Sequence, residues 1–201
     1  MRIFIVLFAL FTACCRPDAI SVPKEPLSEA QRKAAVHIVM FCTDGRTMSA
    51  GQGSGTIFAD FRIVTAQHVV ECKGERAVFV ETLDGLRYFA RVSSEDARRD
   101  IAVLETMQKL PHFRFRVAST RHAALLCYES AMPTRARKCG KVSEIRQKPG
   151  VEIVHSADTE SGNSGSGIFD VRGALVGVVT TRNGNSTAGA ASILRKSDLL
   201  Y

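Results

Sequence analysis

Short apolar segments alternate with turn residues along most of the chain, a pattern that predicts strands rather than long helices. In the first half these segments are rich in β-branched and aromatic residues, and Asp84-Gly85 marks a tight hairpin. The predicted strands of this half span 37–41, 53–59, 62–66, 77–81, 86–92 and 101–104, with a polar turn over 44–51. Together they predict a six-stranded barrel.

The second half shows the same kind of pattern after a connection over 107–122, although no internal repeat is visible in the sequence. Its predicted strands span 123–128, 139–145, 151–155, 167–170, 174–181 and 190–194. Helix is expected only near the ends: Ser28 and Gln31 have the spacing of a capping box that starts a helix to about Ala35, and 194–200 forms another. Many short strands favour an all-β barrel or sandwich over an α/β fold.

The N-terminus carries an apolar run, residues 3–13, behind the single basic residue Arg2. The run is too short to span a bilayer and has the form of a signal peptide. It ends in Phe-Thr-Ala before Cys14, which resembles a bacterial lipobox. We therefore expect a signal peptide over 1–13, a lipid anchor on Cys14, a proline-rich tether over 14–26, and export to the envelope on the periplasmic side or secretion. The alternative is an ordinary signal peptide that happens to contain Cys14 and Cys15.

Length and charge limit the remaining possibilities. A chain of 201 residues suits one domain with a sizeable core. The net charge of +7 makes anionic partners conceivable, but the basic residues are scattered and no nucleic-acid-binding motif accompanies them. A solvated basic face is the interpretation we favour, so no nucleic-acid partner is expected.

Four of the six cysteines lie beyond the N-terminal pair: Cys42, Cys72, Cys127 and Cys139. No Cys-x-x-Cys spacing occurs, which argues against a zinc site. An even number of cysteines in an exported chain favours disulfides, and three connectivities are possible. We expect Cys42–Cys72 and Cys127–Cys139, the latter across neighbouring strands; buried free thiols are the alternative.

Residues 161–167 read Ser-Gly-Asn-Ser-Gly-Ser-Gly, so glycines alternate with small polar residues. Such a segment makes a poor packed strand but suits a tight turn whose amides point at a ligand. Ser164 would lie at the tip of the turn, and the amides of Gly162 and Ser164 would converge on a developing oxyanion. The alternative is a flexible Gly/Ser loop.

Two other segments supply partners for a serine nucleophile. A serine hydroxyl needs a base to take its proton and an acid that orients the base. His68 follows a β-branched run and small residues, whereas the other histidines lie in apolar strands or flank the central connection. Asp100 directly precedes the apolar run 101–104, where it could be buried against His68.

The order His, Asp, Ser, with the serine inside Gly-Asn-Ser-Gly, resembles the chymotrypsin-like (trypsin-fold) serine proteases, particularly the short bacterial trypsin-like and HtrA-type branch, here without a PDZ domain. The matching segments are Gly53-Ser54-Gly55-Thr56-Ile57, Thr65-Ala66-Gln67-His68-Val69, Asp100-Ile101-Ala102-Val103-Leu104, Gly162-Asn163-Ser164-Gly165-Ser166 and Leu175-Val176-Gly177-Val178-Val179.

This resemblance implies two six-stranded antiparallel β-barrels with the active site in the cleft between them. The protease domain would span 27–201, with the first barrel at about 36–106 and the second at about 123–195. It also implies a catalytic triad of His68, Asp100 and Ser164, an oxyanion hole formed by Gly162 and Ser164, and no cofactor or metal.

The resemblance further implies that 155–160 and 179–182 line the pocket for the side chain preceding the cleaved bond. Val179 stands where relatives selective for glutamate or glutamine carry a histidine, which argues against that selectivity. Asp158 stands where trypsin-type enzymes carry the acid that binds Lys or Arg, but Arg182 could neutralise it. The residues expected to bind substrate are Asp158, Thr159, Val179, Thr180 and Thr181.

The expected function is a serine endopeptidase that hydrolyses polypeptides through an acyl-enzyme intermediate, acting as a monomer and tethered to the membrane through Cys14. Two alternatives remain at this point. A trypsin-fold protein can lose its activity and serve as a binding module at the envelope, usually after loss of a triad residue. The same triad would also support an esterase.

Overall fold

The computed structural model describes residues 27–111, 113, 115–117, 125–129, 137–148, 150–182 and 188–199. The predicted signal peptide, the tether and Cys14 lie outside these residues. No helix in the described ranges is long and apolar enough to cross a membrane. In the described residues the helical elements are α1 (Glu29–Lys33) and the 3-10 helices Gln67–Val69 and Lys196–Leu199.

Twelve strands are found in the described part of the chain, and they form two closed barrels. The strands of the first barrel are β1 (Ala35–Thr43), β2 (Met48–Ala59), β3 (Arg62–Thr65), β4 (Glu75–Glu81), β5 (Arg87–Asp96) and β6 (Ile101–Thr106). Those of the second are β7 (Leu125–Glu129), β8 (Arg137–Lys148), β9 (Gly150–Asp158), β10 (Gly167–Asp170), β11 (Leu175–Arg182) and β12 (Ala188–Ile193).

The two barrels have the same connectivity. Around the first barrel the strand order is β1-β2-β3-β6-β5-β4, and around the second it is β7-β8-β9-β12-β11-β10. All of the pairings are antiparallel. The predicted all-β, two-barrel fold is therefore confirmed.

Several predicted bounds need correction, and two of them have a clear local cause. The polar turn expected over 44–51 is shorter, because Thr43 already pairs with Met48 and β2 begins there. The side chain of Asp44 tightens the turn by accepting the backbone N–H groups of Arg46 (2.9 Å) and Thr47 (2.8 Å). The first helix has its predicted capping box but ends at Lys33, because Ala35 already pairs with β2.

Apolar side chains fill each barrel and also the space between them. The first barrel is packed around residues such as Ile38 and Leu104, and the second around residues such as Ile153 and Ile168. A third cluster between the barrels holds Leu27, Phe58, Val64, Ile101, Val103, Cys127, Phe169, Leu175, Val178 and Leu194. Strand β6 therefore buries both of its faces, which explains why its sequence is a continuous apolar run.

One disulfide, between Cys42 and Cys72, joins β1 to the loop that follows the 3-10 helix Gln67–Val69. It closes a sequence separation of 30 residues. Cys127 is also disulfide-bonded, and the register of β7 and β8 sets it directly opposite Cys139. The side chain of Cys139 lies outside the description, so the pair Cys127–Cys139 stays a prediction.

His155 lies on β9 inside the second barrel and is fully buried. Its ring packs edge-on against that of Tyr128, with 6.2 Å between the ring centroids. Burial lowers the pKa of His155 to about 4, because a charged imidazolium is poorly solvated there. The neutral imidazole therefore behaves as a core side chain near neutral pH.

Replacing Cys42 and Cys72 together by serine should lower the free energy of unfolding by about 3.6 kcal/mol, since the open loop restores entropy to the unfolded chain. Urea unfolding of wild type and the double variant measures the difference. Equal stabilities would show that the bond does not form in the protein.

Acid should destabilise the protein through His155. Its folded-state pKa lies below the ordinary value of 6.5, so the unfolded chain takes up the proton first, and stability is lost as pH falls from about 6.5 towards 4. We expect a loss of about 2–3 kcal/mol by pH 4.5 from this group. His155→Leu should show a smaller loss than wild type in urea unfolding at pH 7 and 4.5, and an equal loss would contradict the prediction.

Candidate active site

His68 lies in the 3-10 helix that follows β3, at the edge of the first barrel. Its Nδ1 is 2.7 Å from Oδ2 of Asp100, and its backbone N–H donates to Oδ1 of the same carboxylate at 2.9 Å. The hydrogen bond to Asp100 raises the pKa of His68 above the ordinary value for histidine. The two contacts fix the ring orientation and leave Nε2 as the nitrogen that does not face Asp100.

Asp100 reaches His68 through an unusual backbone conformation. It has a φ of 52°, in the left-handed region, where a residue other than glycine costs on the order of 1–3 kcal/mol. It directly precedes β6, which pairs with β3 through Thr65 and Ala102. This register brings the end of β3, and with it His68, next to the start of β6.

The predicted turn around Ser164 is present and is shaped by two glycines. Gly162 and Gly165 each have a φ of 89°, a conformation that residues with a β-carbon rarely adopt. The Asn163 N–H donates to the carbonyl of Glu160, and the Ser166 N–H donates to the carbonyl of Asn163, both at 3.1 Å. The segment is thus a hydrogen-bonded double turn and not a loose Gly/Ser loop.

The Ser164 turn is attached to the first barrel by hydrogen bonds from β2. The Ser54 N–H donates to the carbonyl oxygen of Ser164 at 2.8 Å, and the Ser54 hydroxyl donates to the carbonyl of Gly162 at 2.8 Å. A β-carbon at position 165 would collide with the Ser54 carbonyl oxygen and the Thr65 hydroxyl. Only glycine fits there, so the turn and β2 are in close contact.

The Ser164 hydroxyl is partly exposed and donates to the carbonyl of Thr180 at 3.3 Å. In the described residues it makes no hydrogen bond to His68. His68 and Asp100 are therefore in direct contact, whereas the turn that carries Ser164 is connected to their barrel by the hydrogen bonds from Ser54 on β2. Within the same residues, the amides of Gly162 and Ser164 donate to no protein acceptor. Two free N–H groups beside a hydroxyl can receive a developing negative charge.

A buried tyrosine that sequence reasoning missed supports the same turn. The Tyr128 hydroxyl contacts the carbonyl of Asp158 and lies 3.3 Å from Oδ1 of Asn163, which also accepts the Glu160 N–H at 2.8 Å. Burial raises the pKa of Tyr128 to about 12, which keeps the hydroxyl protonated as a donor. The sequence marks Tyr128 only as a strand residue, and its role depends on the closure of the second barrel, inside which its side chain reaches from β7 to the end of β9.

The residues expected to bind substrate lie near Ser164, at the end of β9 and on β11. Thr159 is buried, with its hydroxyl donating to the carbonyl of Ala157 at 3.2 Å, and Val179 is fully buried. The Thr180 hydroxyl donates to the carbonyl of Ala190 at 3.3 Å. Asp158 is partly exposed, and the side chain of Thr181 lies outside the description. Their contact with substrate stays a prediction.

A cavity of about 360 Å³ opens beside His68, between the Cys42–Cys72 disulfide and the turn at Asp44. His68 is one of the residues that line it. Among the described residues, no three side chains of His, Cys, Asp or Glu form a group that could hold a metal ion.

A comparison with curated proteins found no match. Among solved structures, the chain is similar to the crystal structure of the Rv3671c protease from M. tuberculosis in its active form, with a TM-score of 0.69 and 21% sequence identity. The likeness covers 82% of this chain and 77% of that chain, and at this identity it shows the fold. The sequence also matches the trypsin-like peptidase domain over residues 53–178, more than half of its length. The chain therefore belongs to the trypsin-like peptidase family and has the two-barrel fold of the chymotrypsin-like serine proteases.

Proposed function

We propose that the protein is a serine endopeptidase that uses Ser164, His68 and Asp100 as its catalytic triad. The observation that carries this proposal is the carboxylate of Asp100, which accepts hydrogen bonds from both the ring and the backbone of His68. A histidine held in this way supports acyl transfer together with Ser164, whose glycine turn presents two free amides and is hydrogen-bonded to β2 of the barrel that carries His68.

The proposed reaction begins when the Ser164 hydroxyl rotates from Thr180 towards Nε2 of His68, which takes its proton as the oxygen attacks the scissile carbonyl. Asp100 stabilises the imidazolium that forms. The amides of Gly162 and Ser164 stabilise the oxyanion of the tetrahedral intermediate. His68 then protonates the leaving amine, and a water molecule, activated by His68 in the same way, hydrolyses the acyl-enzyme.

For specificity, we propose that Asp158, Thr159, Val179, Thr180 and Thr181 contact the side chain that precedes the cleaved bond. Val179 brings no hydrogen-bonding group to this pocket, which argues against selectivity for glutamate or glutamine. Asp158 is the one acidic residue of this set and would favour a basic side chain, whereas neutralisation by Arg182 would remove that preference. A library of fluorogenic peptides that vary at this position tests the preference.

We also propose export and lipid modification at Cys14, supported by the apolar N-terminal run and its Phe-Thr-Ala-Cys ending. The Cys42–Cys72 disulfide is compatible with an oxidising compartment. Mass analysis of the mature N-terminus distinguishes lipidation from ordinary signal-peptide cleavage.

Ser164→Ala should abolish peptidase activity and labelling by a fluorophosphonate probe, because loss of the nucleophile costs several orders of magnitude in turnover. The fold should persist, since the lost hydroxyl is partly exposed and makes one long hydrogen bond. Ser94→Ala, at an exposed serine on β5, is the matched control and should label like wild type. Wild type that neither labels nor cleaves would indicate a binding module, whereas cleavage of ester but not peptide substrates would indicate an esterase.

Activity should rise with pH through a pKa above the ordinary histidine value of about 6.5. The reason is that His68 acts as a base only when neutral, and its hydrogen bond to Asp100 favours the charged form. Asp100→Asn should move this rise in activity, the acid limb of the pH profile, to lower pH and reduce kcat by about 10³–10⁴-fold. Profiles of kcat/KM against pH for both proteins test this, and a flat wild-type profile between about pH 5 and 8 would exclude His68 as the base.

A further inference from the structure

We propose that Arg99 and Asp198 are positioning residues for Asp100, an inference that rests on the proposed serine-peptidase function. Asp198 belongs to the 3-10 helix Lys196–Leu199 near the C-terminus, whereas Arg99 precedes the proposed catalytic acid. The two side chains form an ion pair across 99 positions of sequence. They connect the end of the chain to the loop that carries Asp100.

Arg99 is held by two carboxylates. Its Nη1 and Nη2 donate to Oδ2 and Oδ1 of Asp198 at 2.8 and 2.7 Å, which is a bidentate pair. Its Nε donates to Oδ2 of Asp96 at 2.6 Å. The side chain is only 12% exposed, and that of Asp198 is 9% exposed. The three bonds hold the planar guanidinium in one orientation, and the backbone N–H of Arg99 is held separately by the side chain and carbonyl of Asp96.

Asp198 and Asp96 are themselves anchored. Oδ2 of Asp198 also accepts the N–H of Arg195 at 2.7 Å, which caps the 3-10 helix. Oδ1 of Asp96 accepts the N–H groups of Arg98 and Arg99, both at 3.1 Å. Arg99 therefore joins the turn at the end of β5 to the segment that follows β12, so the pair connects one barrel to the chain leaving the other.

This attachment matters because the next residue is strained. Asp100 has a φ of 52°, and an aspartate free to relax would adopt a negative φ. Such a rotation would move the carboxylate relative to His68, to which it makes contacts of 2.7 and 2.9 Å. The Arg99–Asp198 pair opposes that relaxation, because Arg99 cannot turn without breaking its bonds to both carboxylates.

Two other arginine pairs of the first barrel are far more exposed than the Arg99–Asp198 pair. Arg91 and Glu105 connect β5 with β6 in a pair whose side chains are 74% and 30% exposed, and the pair of Arg87 and Glu81 is similarly open. Exposed pairs of this kind contribute little to structure. Glu105→Gln is therefore a matched control, because it breaks an exposed ion pair between β5 and β6, the two strands that flank the turn carrying Asp100.

Asp198→Asn in the full protein should lower kcat by about 10²-fold, the cost of a small misplacement of a reacting group, with little change in KM. The acid limb of the kcat/KM profile should move to lower pH, because a displaced Asp100 no longer favours protonated His68. Asp198→Glu, which keeps the carboxylate, should recover part of kcat. Glu105→Gln should match wild type in all three measurements.

Wild-type kcat and an unshifted acid limb in a folded Asp198→Asn protein would overturn the inference and leave the proposed function intact. Equal losses in kcat for Asp198→Asn and Glu105→Gln would overturn it as well. If Asp198→Asn does not fold, Arg99→Lys provides the test, because a lysine keeps the charge but cannot make the three hydrogen bonds. An unchanged kcat in Arg99→Lys would contradict the inference. Wild type that fails to label with a fluorophosphonate would instead refute the proposed function.

Discussion

The structure depends on the contact between β2 and the Ser164 turn. Ser54 donates two hydrogen bonds to this turn, and the Thr56 hydroxyl accepts the N–H of Gly167 at 2.8 Å. These groups are buried, so an unmade bond would cost about 1–3 kcal/mol. The turn belongs to the second barrel and β2 to the first, and this contact therefore holds the Ser164 turn against the barrel that carries His68.

Backbone strain differs between the two segments that carry the candidate site. The Ser164 turn places its left-handed conformations on glycines, where they cost little. Asp100 adopts a left-handed conformation without being glycine, because only a carboxylate at this position can accept both hydrogen bonds of His68. The strained backbone of Asp100 is therefore coupled to its hydrogen bonds with His68, and contacts from the surrounding structure are needed to maintain it. Buried ionic contacts of Arg99 lie directly beside it.

The two barrels share one connectivity, although no repeat is visible in the sequence. This connectivity therefore follows from the pattern of strands and turns and not from repeated residues. Alternation and turn signals located every strand, because a barrel wall needs one buried face per strand. They misplaced several ends: β5 continues to Asp96 and β8 to Lys148, beyond the apolar residues. Polar residues extend these strands because their backbone groups form hydrogen bonds with the neighbouring strands. The hydrophobic periodicity of the sequence does not reveal such bonds.

The sequence by itself determined the all-β class, the twelve strands found in the described residues, the glycine turn around Ser164 and the candidates His68 and Asp100, because each rests on local patterns of residue type. Only the tertiary structure decided how they meet. The strain at Asp100, the bonds from Ser54 to the Ser164 turn and the Arg99–Asp198 pair join residues far apart in sequence. Such contacts depend on strand register and on the packing of two closed barrels, and neither leaves a local signature in the chain.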